Sequence, residues 1–364
     1  MPSAFSRTAR SDGDSRAGEL TAVASSPVRT PHEILCWARD MLAPALCAAV
    51  DRLPPATRRT AGYHLGWREA DGQPSGGGGG KALRPTLCML TAAATGADPA
   101  AALPAAVAVE LVHNFSLLHD DIMDGDVRRR HRPTAWTVFG LGPAILAGDA
   151  LLTAAFETLT ASGHARADSG VRALSATVLA LVDGQSLDLE FEGRFHVDLA
   201  ECRRMTENKT GALLGCACTL GALFGDARPA QVEHVRVFGE RLGVAFQIID
   251  DTLGIWGDPE VTGKPVYSDL SNRKKSLPVV AALRSDTAAG TELARLYQRS
   301  EPLSQRELAA AAALIERSGA RRWSETQADE QLAGALEALH CAGLGGCAVN
   351  ELAALAQLVT TRDS

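Results

Sequence analysis

In the first half of the chain an apolar run, Asn114–Leu118, leads into three aspartates, Asp120, Asp121 and Asp124. Asp120 and Asp124 are four residues apart, so on a helix they share one face and lie one turn apart. Charges flanked by apolar side chains are costly to bury unless a cation compensates them. The pattern therefore indicates a site that holds positive charge.

A second acidic pair repeats the pattern, because Phe246–Ile249 leads into Asp250 and Asp251. Two such clusters indicate one shared site that holds hard divalent cations between facing helices. Oxygen-only ligands favour Mg²⁺, which keeps waters and accepts substrate phosphates. The alternative is a helix cap or a solvated surface, the commoner role of a single Asp-Asp pair. Two pairs that each follow an apolar run fit that alternative less well, since a surface helix would alternate.

Cationic side chains follow each acidic cluster. Arg129 and Arg130 come after the first cluster, Lys264 and Lys274 come after the second, and Lys209 lies between the two in sequence. Carboxylates hold metals, and metals together with Arg and Lys hold phosphate oxygens. This order of acids and cations predicts a phosphate-binding site.

The elements that position these residues are expected to be helices. The chain has 364 residues, of which 46% are hydrophobic and 22% charged, so it can bury a sizeable core. Aromatics are few while Ala and Leu dominate, which favours helix over strand, and no alternating strand pattern is convincing. Helical spacing begins near Pro31, and we take residues 31–364 as one domain. Further helices are predicted over about residues 100–124, 142–162, 170–192, 198–224, 229–256, 274–285, 289–299, 304–318 and 321–358.

Composition argues against several classes of function. The net charge of -7 argues against nucleic acid as the main partner. No run reaches the roughly 18 apolar residues of a membrane span, and the N-terminus lacks an apolar signal core, so an integral membrane protein is not expected. The eight cysteines, Cys216 and Cys218 among them, show no Cys-x-x-Cys and no His pairing. They suit small reduced core residues and a cytoplasmic location.

Two segments lack periodicity. Residues 1–30 are rich in Ser, Ala, Arg and Asp and are expected to form a disordered tail, either a passive terminus or a docking or encapsulation address for a partner. Five glycines, Gly76–Gly80, precede Lys81 and Arg84. A P-loop needs Ser or Thr after its Lys, and Ala82 stands there. The glycines are instead interpreted as a flexible linker or lid that lets Lys81 and Arg84 approach an anion.

The joint order of these motifs resembles that of the trans-isoprenyl diphosphate synthases of the polyprenyl synthetase family. The matching stretches are Gly80–Pro85, Asp120–Arg130, Lys209-Thr210, Phe246–Asp251 and Gly263–Pro265. The resemblance implies an all-α, isoprenoid-synthase-type helical bundle around a central cavity, and a homodimer. It also implies a short-chain prenyltransferase that condenses isopentenyl diphosphate with an allylic diphosphate and needs no protein nucleophile.

The resemblance further implies a set of metal ligands. Asp120 and Asp124 would ligate two Mg²⁺ ions and Asp250 a third, with Asp121 and Asp251 in support. The family's second motif usually carries a third Asp, and Gly254 stands in that place. Glycine supplies no side-chain oxygen, so the third ion is expected to rest on Asp250 and water, with activity retained.

Other matched positions are implied to bind substrate. The residues expected to hold the allylic diphosphate and stabilise its cation are Lys209, Lys264, Arg129, Thr210 and Gln247. Those expected to hold the diphosphate of isopentenyl diphosphate are Lys81, Arg84, His113 and Arg130, with Lys274 approaching on closure. On the residues alone, His113 would be a core imidazole hydrogen-bonded beside Glu110. The neighbouring cations expected to be solvated are Arg128, Arg132 and Lys275.

Product length is expected to depend on the helix below the first acidic cluster. Five residues span about 7.5 Å along a helix axis, which places Phe115 and then Ser116 beneath Asp120, with Val112 one turn deeper. A bulky ring there can floor the channel for the growing apolar tail. Phe at this place resembles synthases that make the C20 product geranylgeranyl diphosphate. The alternatives are an ordinary core Phe, and farnesyl or longer polyprenyl products.

Two rival functions come from other classes. A class I terpene cyclase shares an Asp-rich motif and an all-α fold, but it would need an Asn/Ser/Glu-type second metal motif, and none is present. A non-catalytic partner or cargo subunit is the other rival. Gly254 and the N-terminal tail favour it, and the largely intact motifs argue against it.

Overall fold

The computed structural model describes residues 29–75, 80–258, 266–299 and 301–360, and nearly all of its regular structure is helical. The helices of the first half are α1 Pro31–Asp51, α2 Pro55–His64, α3 Leu83–Ala94, α4 Leu103–Met123, α5 Ala135–Phe139, α6 Leu141–Thr160 and α7 Ala167–Gly193. Those of the second half are α8 Leu199–Thr206, α9 Ala212–Phe224, α10 Pro229–Trp256, α11 Ser268–Ser271, α12 Leu277–Leu283, α13 Ala288–Tyr297, α14 Gln305–Arg317, α15 Ala320–Cys341 and α16 Cys347–Thr360. The predicted all-α class is confirmed.

The strands in the described residues form one small hairpin directly after the first acidic cluster. Strands β1 Arg128–Arg129 and β2 Arg132–Pro133 pair antiparallel, with Arg129 opposite Arg132. The turn between them places Arg130 and His131 at positive φ, 50° and 63°. The hairpin thus bends the basic run back toward the end of α4.

Local sequence signals explain where several helices begin. At α1, Thr30 accepts a hydrogen bond from the backbone of Glu33 and the Glu33 side chain accepts one from Thr30, with Pro31 as the first helical residue. Ser304 and Glu307 form the same reciprocal cap at α14. Each such cap satisfies backbone N–H groups that have no partner inside the helix. The predicted start near Pro31 is confirmed on this basis.

Helix α4 is the buried centre of the larger core. It packs on α1, α3, α6 and α9, while α10 packs between α9 and α15. The segment Pro99–Met123 is long and apolar enough to cross a membrane, but 67% of its apolar window is buried inside the protein. Close helix contacts depend on glycine, since a Cβ on Gly221 of α9 would lie 2.1 Å from the Cys88 carbonyl oxygen of α3.

The helices differ from the sequence prediction in several places. The helix expected over 321–358 is two helices, because the chain turns between them with Gly343 and Gly346 at φ of 57° and 79°. The helix expected over 198–224 is continuous but widens into a π-helical turn at Glu207–Gly211. Helices α2 and α3 were not indicated by the apolar pattern.

Two predictions fall largely outside the described residues. The expected tail, residues 1–30, is described only at Arg29 and Thr30, and Arg29 forms a 2.6 Å ion pair with the buried Glu351 of α16. Lys264 also lies outside the described residues. The roles proposed for the tail and for Lys264 therefore stay predictions.

Candidate active site

The first acidic cluster stands at the C-terminal end of α4. Asp121 is buried, and its Oδ1 accepts a 2.6 Å hydrogen bond from Arg129 Nε of the hairpin. The other oxygen, Asp121 Oδ2, is shielded from solvent and has no hydrogen-bond partner. Burial raises the pKa of Asp120 and of Asp121 to about 6, although Lys209 and Arg129 respectively oppose the rise. The cluster therefore lacks enough positive charge to match its carboxylates.

The second acidic cluster lies near the C-terminal end of α10. Asp251 is buried, and its Oδ1 accepts a 2.8 Å hydrogen bond from Gln247 Nε2. The Leu277 backbone N–H donates to its Oδ2 at 3.3 Å. Burial raises the pKa of Asp251 to about 7. Asp250, one residue earlier, is exposed, and its charge also acts on Lys274.

The π-helical turn connects the two clusters. Lys209 Nζ lies 2.6 Å from Asp188 Oδ2, and its charge acts on the carboxylates of both Asp120 and Asp124. Thr210 Oγ1 donates to Gln247 Oε1 at 2.7 Å. The turn thus presents Lys209 to the first cluster and Thr210 to the second.

Asp188 is a site residue that the sequence analysis missed. It lies on α7, half-buried against Lys209. A sequence signal did exist, because Gly184 stands one turn earlier in the interior of a long helix, where glycine is unfavourable by about 1 kcal/mol relative to Ala. The structure gives the reason for this glycine. A Cβ on Gly184 would lie 2.5 Å from the backbone nitrogen of Lys209.

Lys274 is the cation whose charge interacts with the carboxylates of Asp269, Asp251 and Asp188. Burial would lower the pKa of its ammonium, but the carboxylates of Asp269 and Asp251, followed by Asp188, raise it well above its ordinary value. Its charge also lowers the pKa of Asp124 in the first cluster, against the larger effect of burial. Lys274 is therefore close enough to act on acids from α4, α7, α10 and α11. The structure brings both predicted clusters into one site.

Asp269 explains the missing third aspartate of the second motif. A Cβ on Gly254 would lie 2.6 Å from both Cγ and Oδ2 of Asp269, so the Asp269 carboxylate stands directly over the glycine. Asp269 is buried and comes from the short helix α11. The expectation that a third ion rests on Asp250 and water stays a prediction, and the structure adds a buried carboxylate from another element beside Gly254.

A second cationic group lies near the start of α3. Arg84 Nη1 lies 3.2 Å from His113 Nε2, and the Arg130 guanidinium packs so closely on Gly80 that a Cβ there would lie 2.7 Å from Nη2. Burial lowers the pKa of Arg84 to about 10 and that of His113 well below its ordinary value, and the charge of Arg130 adds to both effects. The hydrogen-bond partner of His113 is Arg84 rather than Glu110. Lys81 is exposed at the edge of this group.

Two cations expected to be solvated are not. Lys275 is buried, and its Nζ donates to the Phe191 carbonyl at 3.2 Å. Arg132 is half-buried and donates to the Arg68 carbonyl at 2.9 Å. Arg128 is exposed as expected. Runs of like charge conceal such differences, because individual members bond to backbone carbonyls from distant segments.

The residues expected to set product length lie on α4 as predicted. The Phe115 ring is half-buried and meets the His119 ring edge-on, with centroids 4.8 Å apart. Ser116 Oγ donates to the His113 carbonyl at 2.9 Å, and Val112 is fully buried. His119 in turn packs on Gly148 of α6, where a Cβ would lie 2.3 Å from its Nε2.

The acidic site suits a hard divalent cation that arrives with a ligand. Its donors are carboxylate oxygens, several carry a raised pKa, and Asp121 Oδ2 is buried without a partner. Within the described ranges no group of three or more His, Cys, Asp or Glu side chains is arranged to hold a metal. Mg²⁺ is commonly bound by one or two carboxylates plus waters and substrate phosphates, and this donor set fits that mode.

The contact between Gly254 and Asp269 yields a prediction about stability. Helix propensity alone favours Ala over Gly by about 1 kcal/mol, but a Cβ at residue 254 collides with a buried carboxylate. Gly254→Ala should therefore lower the free energy of unfolding by about 1–3 kcal/mol, the usual range for overpacking. Urea denaturation measures this. In an Asp269→Ala background the same substitution should be neutral or stabilising, and an equal loss in both backgrounds would contradict the contact.

Comparison with known proteins gives a consistent result over most of the chain. The family model described as Polyprenyl synthetase matches residues 75–315. A (2E,6E)-farnesyl diphosphate synthase of Mycobacterium tuberculosis is 43% identical over 334 residues, which is 91% of this chain and 93% of that protein. A geranylgeranyl diphosphate synthase of the same organism is 44% identical over 340 residues, covering 93% and 96% of the two chains.

Comparison with solved structures indicates the same family. The crystal structure of a polyprenyl synthetase from Streptomyces coelicolor A3(2) superposes with a TM-score of 0.87 at 47% identity, covering 91% of this chain and 99% of that one. A geranylgeranyl pyrophosphate synthetase from Pyrococcus horikoshii has a TM-score of 0.81 at 28% identity. These likenesses show that the chain belongs to the polyprenyl synthetase family.

Proposed function

We propose that this chain is a Mg²⁺-dependent short-chain trans-prenyltransferase that condenses isopentenyl diphosphate with an allylic diphosphate. One observation carries the proposal. An acid-rich site with Lys209 and Lys274 lies beside a separate group of cations, Arg84, His113 and Arg130. A reaction that joins two diphosphates needs two anion sites, of which only one must promote departure of its diphosphate. Relatives named for farnesyl and geranylgeranyl diphosphate synthesis support the same class.

The acid-rich site is proposed to hold Mg²⁺ and the allylic diphosphate. Asp120, Asp124 and Asp250 would hold three ions, with Asp121 and Asp251 in support. When bound, Mg²⁺ would stabilise negative charge on the departing diphosphate. Asp121 is engaged by Arg129 and Asp251 by Gln247, so each supporting acid keeps one oxygen in a fixed direction. Their role is to orient the neighbouring cation and amide.

The side chains around the leaving group have separate tasks in this proposal. The cations proposed to hold the allylic diphosphate are Lys209, Arg129, Lys274 and, outside the described residues, Lys264. Asp188 fixes the ammonium of Lys209 at 2.6 Å, so little reorganisation is needed when the diphosphate departs. Gln247 is held between Thr210 and Asp251, and its carbonyl oxygen keeps a second lone pair for the allylic cation.

The second cationic group is proposed to bind isopentenyl diphosphate. Arg84, His113, Arg130 and Lys81 would hold its diphosphate while its double bond attacks the allylic carbon. A proton then leaves the new chain, and the departing diphosphate is proposed to accept it. The site must exclude water throughout, because water would quench the cation.

Turnover with defined substrates tests the function. The protein is incubated with isopentenyl diphosphate and each of dimethylallyl, geranyl and farnesyl diphosphate, with Mg²⁺ or with chelator. We expect chain elongation with Mg²⁺ and none with chelator, and Asp120→Asn should lower kcat by about 10²–10³-fold, as for other losses of transition-state charge stabilisation. Cyclic hydrocarbon products would instead indicate a terpene cyclase, and no turnover with any primer would indicate a partner subunit.

The pH dependence of the Mg²⁺ requirement is a second part of that experiment. Burial raises the pKa of Asp120 to about 6 and of Asp251 to about 7, so protons compete with the metal in this range. The Mg²⁺ concentration for half-maximal rate should rise as pH falls from 8 to 6. A requirement that stays constant over this range would contradict metal binding by these carboxylates.

We further propose geranylgeranyl diphosphate as the main product, with farnesyl diphosphate next. The support is the position of Phe115, one turn and a half below Asp120 on α4, with its ring fixed against His119. The relatives named above make products of both lengths, so similarity alone does not choose between them.

Removing the ring tests this assignment. Phe115→Ala should shift the product distribution to longer chains, because the channel floor moves toward Val112. Chromatography of the dephosphorylated products measures the shift. Phe139→Ala is the matched control, since that half-buried ring lies on α5 and packs on Tyr63 of α2 at 5.3 Å. An unchanged distribution for Phe115→Ala, or an equal shift for both, would reject the assignment.

A homodimer is proposed from the surface of α6 and α7, which pack side by side. Leu141, Ile145 and Leu146 of α6 are 54%, 42% and 59% exposed, and Leu179 and Val182 of α7 are 69% and 52% exposed. Large apolar side chains gathered on adjoining helices commonly mark a protein interface. A second copy of the chain is the occupant that the family resemblance supplies.

The oligomeric state can be tested at one residue of this surface. Leu146→Lys should convert a dimer to monomer in size-exclusion chromatography with light scattering, because a charge would be buried without a partner. Leu358→Lys is the control, as Leu358 is 43% exposed on α16. A dimer that survives Leu146→Lys would exclude this face.

The eight cysteines, all unpaired, support the further proposal of a reducing, cytoplasmic location.

A further inference from the structure

Beneath the second cationic group lie three polar side chains to which neither the motifs nor the proposed mechanism gives a task. Two of them, Glu110 and Asn114, stand one turn apart on α4, and both are buried. Asn114 Nδ2 donates to the Glu110 carbonyl at 2.8 Å and to its Oε1 at 3.1 Å. Asn114 Oδ1, at the other end of the same amide, is shielded from solvent and has no hydrogen-bond partner.

The third side chain, His64, comes from a different element. It is the last residue of α2, and its Nε2 is also shielded and makes no hydrogen bond. The Asn114 side chain is near enough to act on the His64 pKa, which burial and the charges of Arg129 and Arg130 lower to about 3. His64 is therefore a neutral imidazole with one N–H to donate. An unpartnered ring nitrogen thus stands near an unpartnered amide oxygen, and the two are chemically complementary.

Glu110 connects this pair to the cations above. Burial lowers the pKa of both Arg84 and Arg130, and the Glu110 carboxylate is the largest charge that opposes the fall in each case. Arg84 is half-buried and Arg130 is exposed, and the charge of each opposes the charged form of its neighbours in this group. Arg84 contacts His113, which stands three residues from Glu110 on α4, so the Glu110 carboxylate is the acid placed to balance the guanidinium charge, and its direction is fixed by Asn114.

We propose that His64, Asn114 and Glu110 form a positioning chain that fixes Arg84 and Arg130 for the diphosphate of isopentenyl diphosphate. The positioning chain is completed when the N–H at His64 Nε2 closes on Asn114 Oδ1, and that bond decides which end of the amide faces Glu110. An amide without that donor can turn over and present its oxygen to the carboxylate, which repels it. The inference rests on the proposed function, since that function assigns this diphosphate to Arg84 and Arg130. The three residues act through the arginines and need not touch substrate.

Paired substitutions of His64 provide the test. His64→Gln keeps an N–H donor near the position of Nε2, and His64→Leu fills a similar volume without one. We expect His64→Leu to raise KM for isopentenyl diphosphate about tenfold, the effect of losing roughly one buried hydrogen bond. KM for the allylic diphosphate and kcat should change less than threefold, and His64→Gln should remain close to the unsubstituted protein on all three measures.

Glu110→Gln separates positioning from charge. It keeps an oxygen for Asn114 but removes the negative charge beside the arginines. Charge alone would tighten binding of an anionic substrate, because the site becomes more positive. Positioning predicts the reverse, a rise of about tenfold in KM for isopentenyl diphosphate. Tighter binding in Glu110→Gln would overturn the proposal.

His164→Leu is the matched control for loss of a partly buried histidine. Its ring stacks on Phe224 at 4.3 Å between centroids and lies in the α6–α7 connection. The KM of the His164→Leu variant for both substrates should equal that of the unsubstituted protein. If His64→Leu and His64→Gln behave alike, or if His64→Leu raises both KM values together, the chain has no selective positioning role and the proposal is wrong.

Equilibrium binding separates this proposal from the proposed function. Calorimetric titration with isopentenyl diphosphate, without primer, reports on the second cationic group even in a protein that does not turn over. Unsubstituted protein that binds but is inactive would contradict the proposed function. Weaker binding by His64→Leu than by His64→Gln in the same titration would still support the positioning chain, and equal binding would overturn it.

Discussion

The structure depends on the crowding of carboxylates between α4, α7, α10 and α11, which within the described residues Lys209, Lys274 and Arg129 neutralise in part. Lys209 is fixed by Asp188, and Lys274 lies within the field of acids from all four helices. Burial raises the pKa of Asp120 and Asp251 because these charges are removed from water without a matching cation. A fold that keeps such a site is less stable than one that neutralises it, and a divalent cation with its diphosphate would restore the balance.

The same constraint explains why the two cationic groups differ. Around Lys209 the acids outnumber the bases, so under the proposed function a diphosphate would bind there together with metal. Around Arg84 and Arg130 the acid that acts most strongly is a single buried glutamate, and a diphosphate can bind the guanidinium groups directly. Under the proposed function, the metal-binding site would take the allylic diphosphate, whose C–O bond ionises to a stabilised cation. The arginine group would take isopentenyl diphosphate, which has no such route to ionisation.

Much of this arrangement could be predicted from local sequence. The Asp pairs after apolar runs, the arginines that follow the first pair and the periodicity of α10 are all short-range patterns, and the structure places Arg129 beside Asp121 and both Asp pairs near the ends of helices. Asp188 and Asp269 were missed because they act on residues of other elements. Each lies near a glycine whose missing Cβ makes room for the contact, Gly184 at Lys209 and Gly254 at Asp269. Unexplained glycines inside long helices were therefore the available signal.

Lys275 and His64 show where sequence reasoning fails for a physical reason. Lys275 stands in a basic run yet bonds to the Phe191 carbonyl of α7, a contact between residues far apart in the chain. His64 ends a helix that the apolar pattern did not indicate. The positioning role proposed for it rests on two buried atoms without hydrogen-bond partners, His64 Nε2 and Asn114 Oδ1. Unsatisfied buried groups are properties of packing, because satisfaction depends on distances of tenths of an ångström. Residue types and spacing can therefore indicate which groups bind phosphate, whereas the groups that hold them in place emerge only from the folded chain.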